Sequence, residues 1–305
     1  MPAAAQIDWT SLGTGFDPRR ITRFTHRLHE HPLLQASALH QLARRVEPLN
    51  LVKFKSPSVK STSDLFLTED RPAPGSSLDQ IFEHLDAPAT WLAIYELTRD
   101  PAYRPLCDEL LADIAAHLGP VEQGLYGADL AIFLSAPPAF TPYHIDQHPV
   151  FFFQLRGKKR LSLWDASDAS VLPPELAEDF LCNKTEGRVR WRDELAAKAI
   201  DVELSAGQGV YWPATTPHLT RTEGHWATKD DAYSLSFNIS YYTEATKRRL
   251  YGAALNQLLR NRAKVSPRPF RDEGLRDAVK ARLGKRYLQL RRLITGRPLR
   301  PEQGI

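Results

Sequence analysis

From residue 128 onward the chain is a succession of short apolar runs, each too brief for a core helix and each ended by a turn signal. ADLAIFLSA, PVFFFQLRG, KRLSLWDA, DVELSAGQGVYWP and YSLSFNISYYT follow one another, separated by Gly, Pro, Asp and Asn. No long helical pattern is interleaved with them. Such a run predicts an antiparallel barrel or jelly roll. The stretch 173–191 between two of the strands breaks the pattern and is expected to be an irregular or partly helical insertion.

The flanks are of a different kind. Over 18–47, Ile21, Phe24 and Leu28 repeat at helical spacing until Pro32 interrupts them, which predicts a helical start. LNLVKFK (49–55) alternates like a strand. The polar, Pro/Gly-rich segment 56–77 predicts a loop, and Ser77 caps a short helix after it. TWLAIYEL predicts a strand, and 102–118 an amphipathic helix. In the tail, Tyr251, Leu255, Leu258 and Leu259 mark one apolar face, and Leu275, Val279, Leu283, Tyr287 and Leu290 mark another. A helical pair is expected there, packed on the barrel or on a second subunit. The expected organisation is an N-terminal helical and strand segment over 1–127, a catalytic core over 128–245 and a basic helical segment over 246–305. The fold class is mainly β with helical additions.

Charge is unevenly spread. The net value is +4 over 305 residues, yet 246–305 holds 17 Lys and Arg against 4 Asp and Glu, while the rest holds 23 against 32. No basic–aromatic interleaving accompanies the basic tail, so it reads as a solvated helix face rather than a nucleic-acid surface. Two cysteines, Cys107 and Cys182, are too few for a disulfide framework. With no basic, apolar leader at the N-terminus and no run of about 18 apolar residues, the expectation is a cytoplasmic protein that does not span a membrane.

The chemistry concentrates in TPYHIDQHPVFFFQLRGKKRLSLW. On a strand, residues i and i+2 share a face, so His144 and Asp146 can point at one centre. A second histidine, His218, arrives in GVYWPATTPHLT. Two His and one carboxylate leave three positions open on one face of an octahedral ion, which suits Fe(II) binding a co-substrate and O2 together. Lys159 follows His144 by fifteen residues, after the turn at Gly157. If its strand pairs antiparallel with the preceding one, its amine returns towards the metal end and can hold a carboxylate. Lys158 then faces solvent. Thr141 and Asn238 are further groups placed to bind an acid. His148 is a rival ligand or a pocket residue, and Tyr143, Phe153 and Trp212 are candidate substrate-pocket residues. Phe151, Leu161 and Phe237 are further candidate walls.

These motifs resemble those of the Jumonji-C/cupin-like branch of the 2-oxoglutarate oxygenases, and within it the asparaginyl hydroxylase that inhibits hypoxia-inducible factor. The matching residues are Thr141-Pro142-Tyr143-His144-Ile145-Asp146 and Gly157-Lys158-Lys159-Arg160, and the likeness spans about 128–243. It implies a double-stranded β-helix core. It also implies Fe(II) on His144, Asp146 and His218 as the catalytic centre, with 2-oxoglutarate as co-substrate bound by Thr141 and Lys159. Asn238 becomes a supporting group. The implied reaction hydroxylates a C–H bond of a protein or peptide side chain, or of a small molecule, and releases succinate and CO2. It further implies a homodimer through the C-terminal helices. Val150, where the family often has an amide, and a longer His218-to-Asn238 spacing bear on substrate recognition rather than on iron. Two other readings stay open: a cupin-type metal enzyme without 2-oxoglutarate, for which Lys159 would lack a purpose, and a non-catalytic Jumonji-like scaffold.

Overall fold

Strand pairing divides the chain into two antiparallel sheets. The computed structural model describes residues 6–12, 15–120, 122–184, 188–228 and 231–296. Its N-terminal part contains β1 (Ile7–Asp8), β2 (Thr22–His26), α1 (Ala36–Val46), β3 (Val52–Lys55), β4 (Thr68–Glu69), α2 (Leu78–Glu83), β5 (Trp91–Ile94) and α3 (Arg104–His117). Eight strands follow: β6 (Tyr126–Ser135), β7 (Ala139–His144), β8 (Val150–Arg156), β9 (Lys158–Leu163), β10 (Ile200–Ser205), β11 (Gln208–Trp212), β12 (His218–Thr222) and β13 (Ser234–Tyr242). The helix α4 (Pro174–Asn183) sits between β9 and β10, and α5 (Glu244–Leu258) and α6 (Gly274–Thr295) close the chain.

The eight strands divide four and four between the sheets, as in a jelly roll, with β6, β8, β11 and β13 in one and β7, β9, β10 and β12 in the other. The larger sheet has the order β1-β2-β11-β8-β13-β6-β5-β3-β4, and the smaller β10-β9-β12-β7. Their facing sides enclose Val150, Phe152, Leu161, Leu163, Val210 and Trp212. The other side of the large sheet is covered by the N-terminal helices, whose Leu39, Leu42, Leu110 and Ile114 pack with Phe151, Phe153 and Phe237. With both faces buried, β8 reads as an unbroken apolar run instead of an alternating one. Alternation still decides which residue faces where. Phe152 faces the interior, whereas Phe151, Phe153 and Phe237, expected as pocket walls, belong to the outer core.

Two further expectations change. The spacing of Ile21, Phe24 and Leu28 is not helical, because 22–26 pairs with β11 as a strand and the helix α1 begins only at Ala36. Tertiary pairing overrides the local period there. Nor are β8 and β9 paired neighbours. The turn at Gly157, with φ of +64°, passes the chain from one sheet to the other, and a Cβ there would lie 2.6 Å from the Tyr233 carbonyl oxygen. Elsewhere the pattern holds, as at Ser77, which accepts the Gln80 N–H while its own N–H donates to the Gln80 side chain.

The tail is a helical pair, but α6 does not bury the face that its leucines suggest. It packs through Asp277, Ala281, Gly284 and Leu288, while Leu275, Leu290 and Leu293 are 82%, 57% and 83% exposed. Gly284 permits the close crossing, since a Cβ there would lie 1.9 Å from the Tyr251 carbonyl oxygen. Among the described residues no helix is long and apolar enough to cross a membrane. Both cysteines are buried and neither is in a disulfide.

The close α5–α6 crossing makes Gly284→Ala destabilising. Overpacking against a backbone atom costs on the order of 2 kcal/mol, despite the better helix propensity of Ala. Urea unfolding beside Gly224→Ala, where nothing lies within 4 Å of the added carbon, measures it. Equal midpoints for the two variants would contradict the packing described.

Candidate metal centre and its cavity

His144 closes β7, His218 opens β12, and the two are paired across the small sheet. Their rings lie 4.1 Å apart. In each ring Nδ1 is engaged with a backbone carbonyl, that of Pro142 at 2.7 Å and that of Thr216 at 2.9 Å. Such a bond fixes the tautomer and leaves Nε2 as the free ligand atom. Asp146 is reached differently from the i, i+2 strand argument. β7 ends at His144, so Asp146 stands on the loop beyond it, where its carbonyl accepts the Thr215 N–H at 2.8 Å. One carboxylate oxygen lies 3.5 Å from His218 Nε2.

The ligand atoms of all three residues fall within 4.8 Å of one another. Ligands about 2.1 Å from one ion and at right angles sit about 3 Å apart, so the set fits a single divalent ion after a small contraction. Burial, and then the neighbouring His144, lower the His218 pKa to about 4, which keeps the ring neutral and able to ligate. Burial alone would raise Asp146, but His218 and His144 beside it more than offset this and hold its carboxyl below the usual value.

The three residues line a cavity of about 240 Å³ inside the jelly roll. Its inner wall is Val150, Phe152 and Trp212, and its depth holds Lys159. Lys159 is only 3% exposed, no described residue pairs with its amine, and the amine stands over the Phe152 ring, 5.9 Å from its centre. Burial lowers its pKa to about 7. Because β9 pairs with β12 so that Leu163 faces His218, Lys159 lies four residues, about 13 Å of strand, from the metal end. It does not return towards the metal; it sits at the far end and points in. Lys158, on the opposite face, is exposed beside Glu203. A buried cation with no counter-charge is costly, so this end of the cavity suits a carboxylate. Thr141 accepts the Trp91 indole N–H at 3.3 Å, which frees its own hydroxyl to donate. Among the described residues two buried polar atoms at the cavity lack partners: Trp212 Nε1, a donor that a carboxylate can satisfy, and Asn238 Oδ1, an acceptor. The residues therefore fit both a metal ion and a dicarboxylate spanning the cavity.

Of the candidate substrate-pocket residues, His148 and Trp212 line the cavity, and Phe153 does not. Tyr143 borders it but packs chiefly on Trp164 and Trp191. The loop 56–77 contributes Leu65 and Phe66, with Phe66 5.7 Å from the His144 ring, and the insertion contributes Val189. Sequence reasoning missed Trp91, Tyr95 and Asp129. Asp129 is held largely from solvent, which raises its pKa, and it accepts the Glu96 N–H at 3.0 Å. Its signal was available: an acid heading the apolar run DLAIFL is rarely buried without a purpose.

The stretch that holds this site matches a known family. Residues 130–245 match the JmjC domain family. A bifunctional lysine-specific demethylase and histidyl-hydroxylase, NO66, of Dictyostelium discoideum is 30% identical over 134 residues, which are 44% of this chain and 23% of that protein. The protein of the same description from Drosophila sechellia is 30% identical over 118 residues, 39% of this chain and 16% of that one. The matched stretch thus spans less than a quarter of these relatives. Neither is described as an asparaginyl hydroxylase. A solved structure, the Escherichia coli ribosomal oxygenase YcfD, aligns over 93% of this chain and 67% of that chain, with 16% identity and a TM-score of 0.47.

A dicarboxylate seated on the Lys159 amine is expected to bind in a pH-dependent way. A bound carboxylate stabilises the ammonium and raises its pKa from about 7. Affinity is then level below pH 7 and falls above it, by up to about tenfold per pH unit, until the bound-state pKa is passed. Calorimetry of 2-oxoglutarate binding to Co(II)-loaded protein at pH 8, in buffers of different ionisation enthalpy, is expected to show proton uptake that Lys159→Met abolishes. The same heat in every buffer would contradict this.

Proposed function

We propose that this chain, built around a JmjC domain at residues 130–245, is an Fe(II)- and 2-oxoglutarate-dependent oxygenase that hydroxylates a side chain of a protein or peptide. The observation that carries the reading is the joint occurrence, in one cavity, of an open two-His, one-Asp ligand set and a buried lysine without a counter-ion. A metal site with no co-substrate would not require that lysine, and a scaffold would require neither.

In this reading His144, Asp146 and His218 would hold the metal ion and leave it able to take further ligands. Lys159 and Thr141 bind the distal carboxylate of the co-substrate, so its keto-acid end faces the metal. The Trp212 indole N–H, buried and without a partner among the described residues, and the side-chain N–H groups of Asn238 donate to the bound acid. Val150, Phe152 and Trp212 exclude water from the reacting centre. When bound, Fe(II) with 2-oxoglutarate and O2 supplies the oxidising power, the co-substrate leaving as succinate and CO2 while one oxygen atom enters a substrate C–H bond.

Two observations support a macromolecular substrate. The cavity of about 240 Å³ is smaller than the roughly 300–1,000 Å³ usual for whole small ligands. With a co-substrate inside, it admits one side chain rather than a separate molecule. The NO66 relatives, matched over 134 and 118 residues, are described as a lysine-specific demethylase and histidyl-hydroxylase. Asp129, Tyr95 and His148 line the remaining wall and favour a side chain that can donate a hydrogen bond. The exposed stripe Leu275, Val279, Leu283 and Leu290 on α6 supports a homodimer, with a second copy covering it.

The test is turnover. Protein purified anaerobically and given Fe(II), ascorbate, 2-oxoglutarate and O2 is expected to release succinate even without substrate, and Asp146→Ala to lower the rate at least 100-fold. Iron-independent succinate, or equal rates in the two proteins, would overturn the assignment. For the dimer, Leu283→Glu with Leu290→Glu is expected to halve the mass in solution without lowering the helix content. A monomeric wild-type protein would refute it.

A further inference from the structure

We infer that Gln147 is a positioning residue for Asp146, and that it ties the metal centre to the C-terminal helices through α4; this rests on the metal-centre reading above. Asp146 is the one candidate ligand that is not on a strand. No side-chain or backbone donor among the described residues hydrogen-bonds its carboxylate, so the backbone that carries it must set its aim. That backbone is fixed at two points. One is the Asp146 carbonyl, which accepts from Thr215, itself a β-branched residue at φ of +64°. The other is the Gln147 side chain.

Gln147 is 5% exposed and faces away from the cavity that Asp146 and His148 line. Its Nε2 donates to the carbonyls of Phe180 at 3.1 Å and Leu181 at 3.4 Å. These belong to the last turn of α4, where the helix dipole is negative, and the Phe180 carbonyl takes the Gln147 donor in addition to the Lys184 N–H at 2.9 Å. Gln147 therefore caps α4 from the side, and α4 in turn anchors the loop.

The far side of α4 is clamped as well. The buried Glu178 accepts the Asn256 amide N–H at 2.6 Å and pairs with Arg260, both beyond β13. Gln257 donates to Asp179 at 3.0 Å. Cys182 packs among Leu250, Ala253, Ala254 and Leu288 of α5 and α6. A continuous set of buried contacts thus runs from α6 through α5 and α4 to Gln147, one residue from the ligand. Movement of the helical pair changes the position of the carboxylate, and the two histidines stay on their strands.

Co(II) serves as the probe, because its visible absorption reports ligand geometry without turnover. Gln147→Met keeps the length and removes the donors. It is expected to weaken Co(II) binding at least tenfold, the range for groups that orient a ligand, and to change the shape of the Co(II) spectrum. Asn256→Ala, which releases α4 from the other side, is expected to do the same to a smaller degree and decides the matter should Gln147→Met fail to fold. Wild-type affinity and spectrum in the folded variants would overturn the inference. A wild-type protein that takes up no Co(II) would instead remove the metal centre itself, and the inference with it.

Discussion

The pairing of His144 with His218 across the edge of the small sheet sets the geometry on which everything else in the site depends. A slip of one residue between β7 and β12 would turn one imidazole to the other face of the sheet. The jelly roll prevents this by burying the inner face of both sheets, so that Leu161, Leu163 and Trp212 resist any change of register. The same pairing extends through β12 to β9 and sets the depth of Lys159. Ligands and lysine are therefore held at opposite ends of one cavity by a single set of strand registers.

Lysine burial gives the cavity its chemical direction. An ammonium in an apolar interior is destabilised, and here the result is an amine near its midpoint at neutral pH. The metal end offers two neutral imidazoles and one carboxylate, and the lysine end a cation in need of an anion. A keto acid with a second carboxylate satisfies both ends at once. Neither end alone points to such a molecule, since metal triads and buried lysines each occur without the other.

Much of this was legible in the sequence because it is local. Turn residues delimit strands, and His144, Asp146 and Lys159 lie within sixteen residues of each other in motifs whose family likeness implies a shared site. What could not be read was the side of the sheet. Along VFFFQL every position is buried, so nothing in the pattern separates Phe152, which walls the cavity, from Phe153, which does not. The start of the chain failed for a related reason, since Phe24 at helical spacing is held in a strand by its pairing with β11. In α6 the apolar stripe predicts the buried face, yet the helix buries Ala281, Gly284 and Leu288 and leaves Leu275, Val279, Leu283 and Leu290 outward. Small residues permit close approach, and hydrophobicity patterns do not register that. Gln147 was passed over because its role depends on α4, more than thirty residues away.

The central claim is that one cavity holds a metal at His144, Asp146 and His218 and a keto acid reaching from that metal to Lys159. The most direct measurement is the visible absorption of the anaerobic protein titrated with 2-oxoglutarate in the presence of Fe(II). A charge-transfer band that needs both components, is absent in Asp146→Ala and requires far more 2-oxoglutarate in Lys159→Met is the predicted result. No band in the wild-type protein with both components present, or a band indifferent to Asp146, would contradict it.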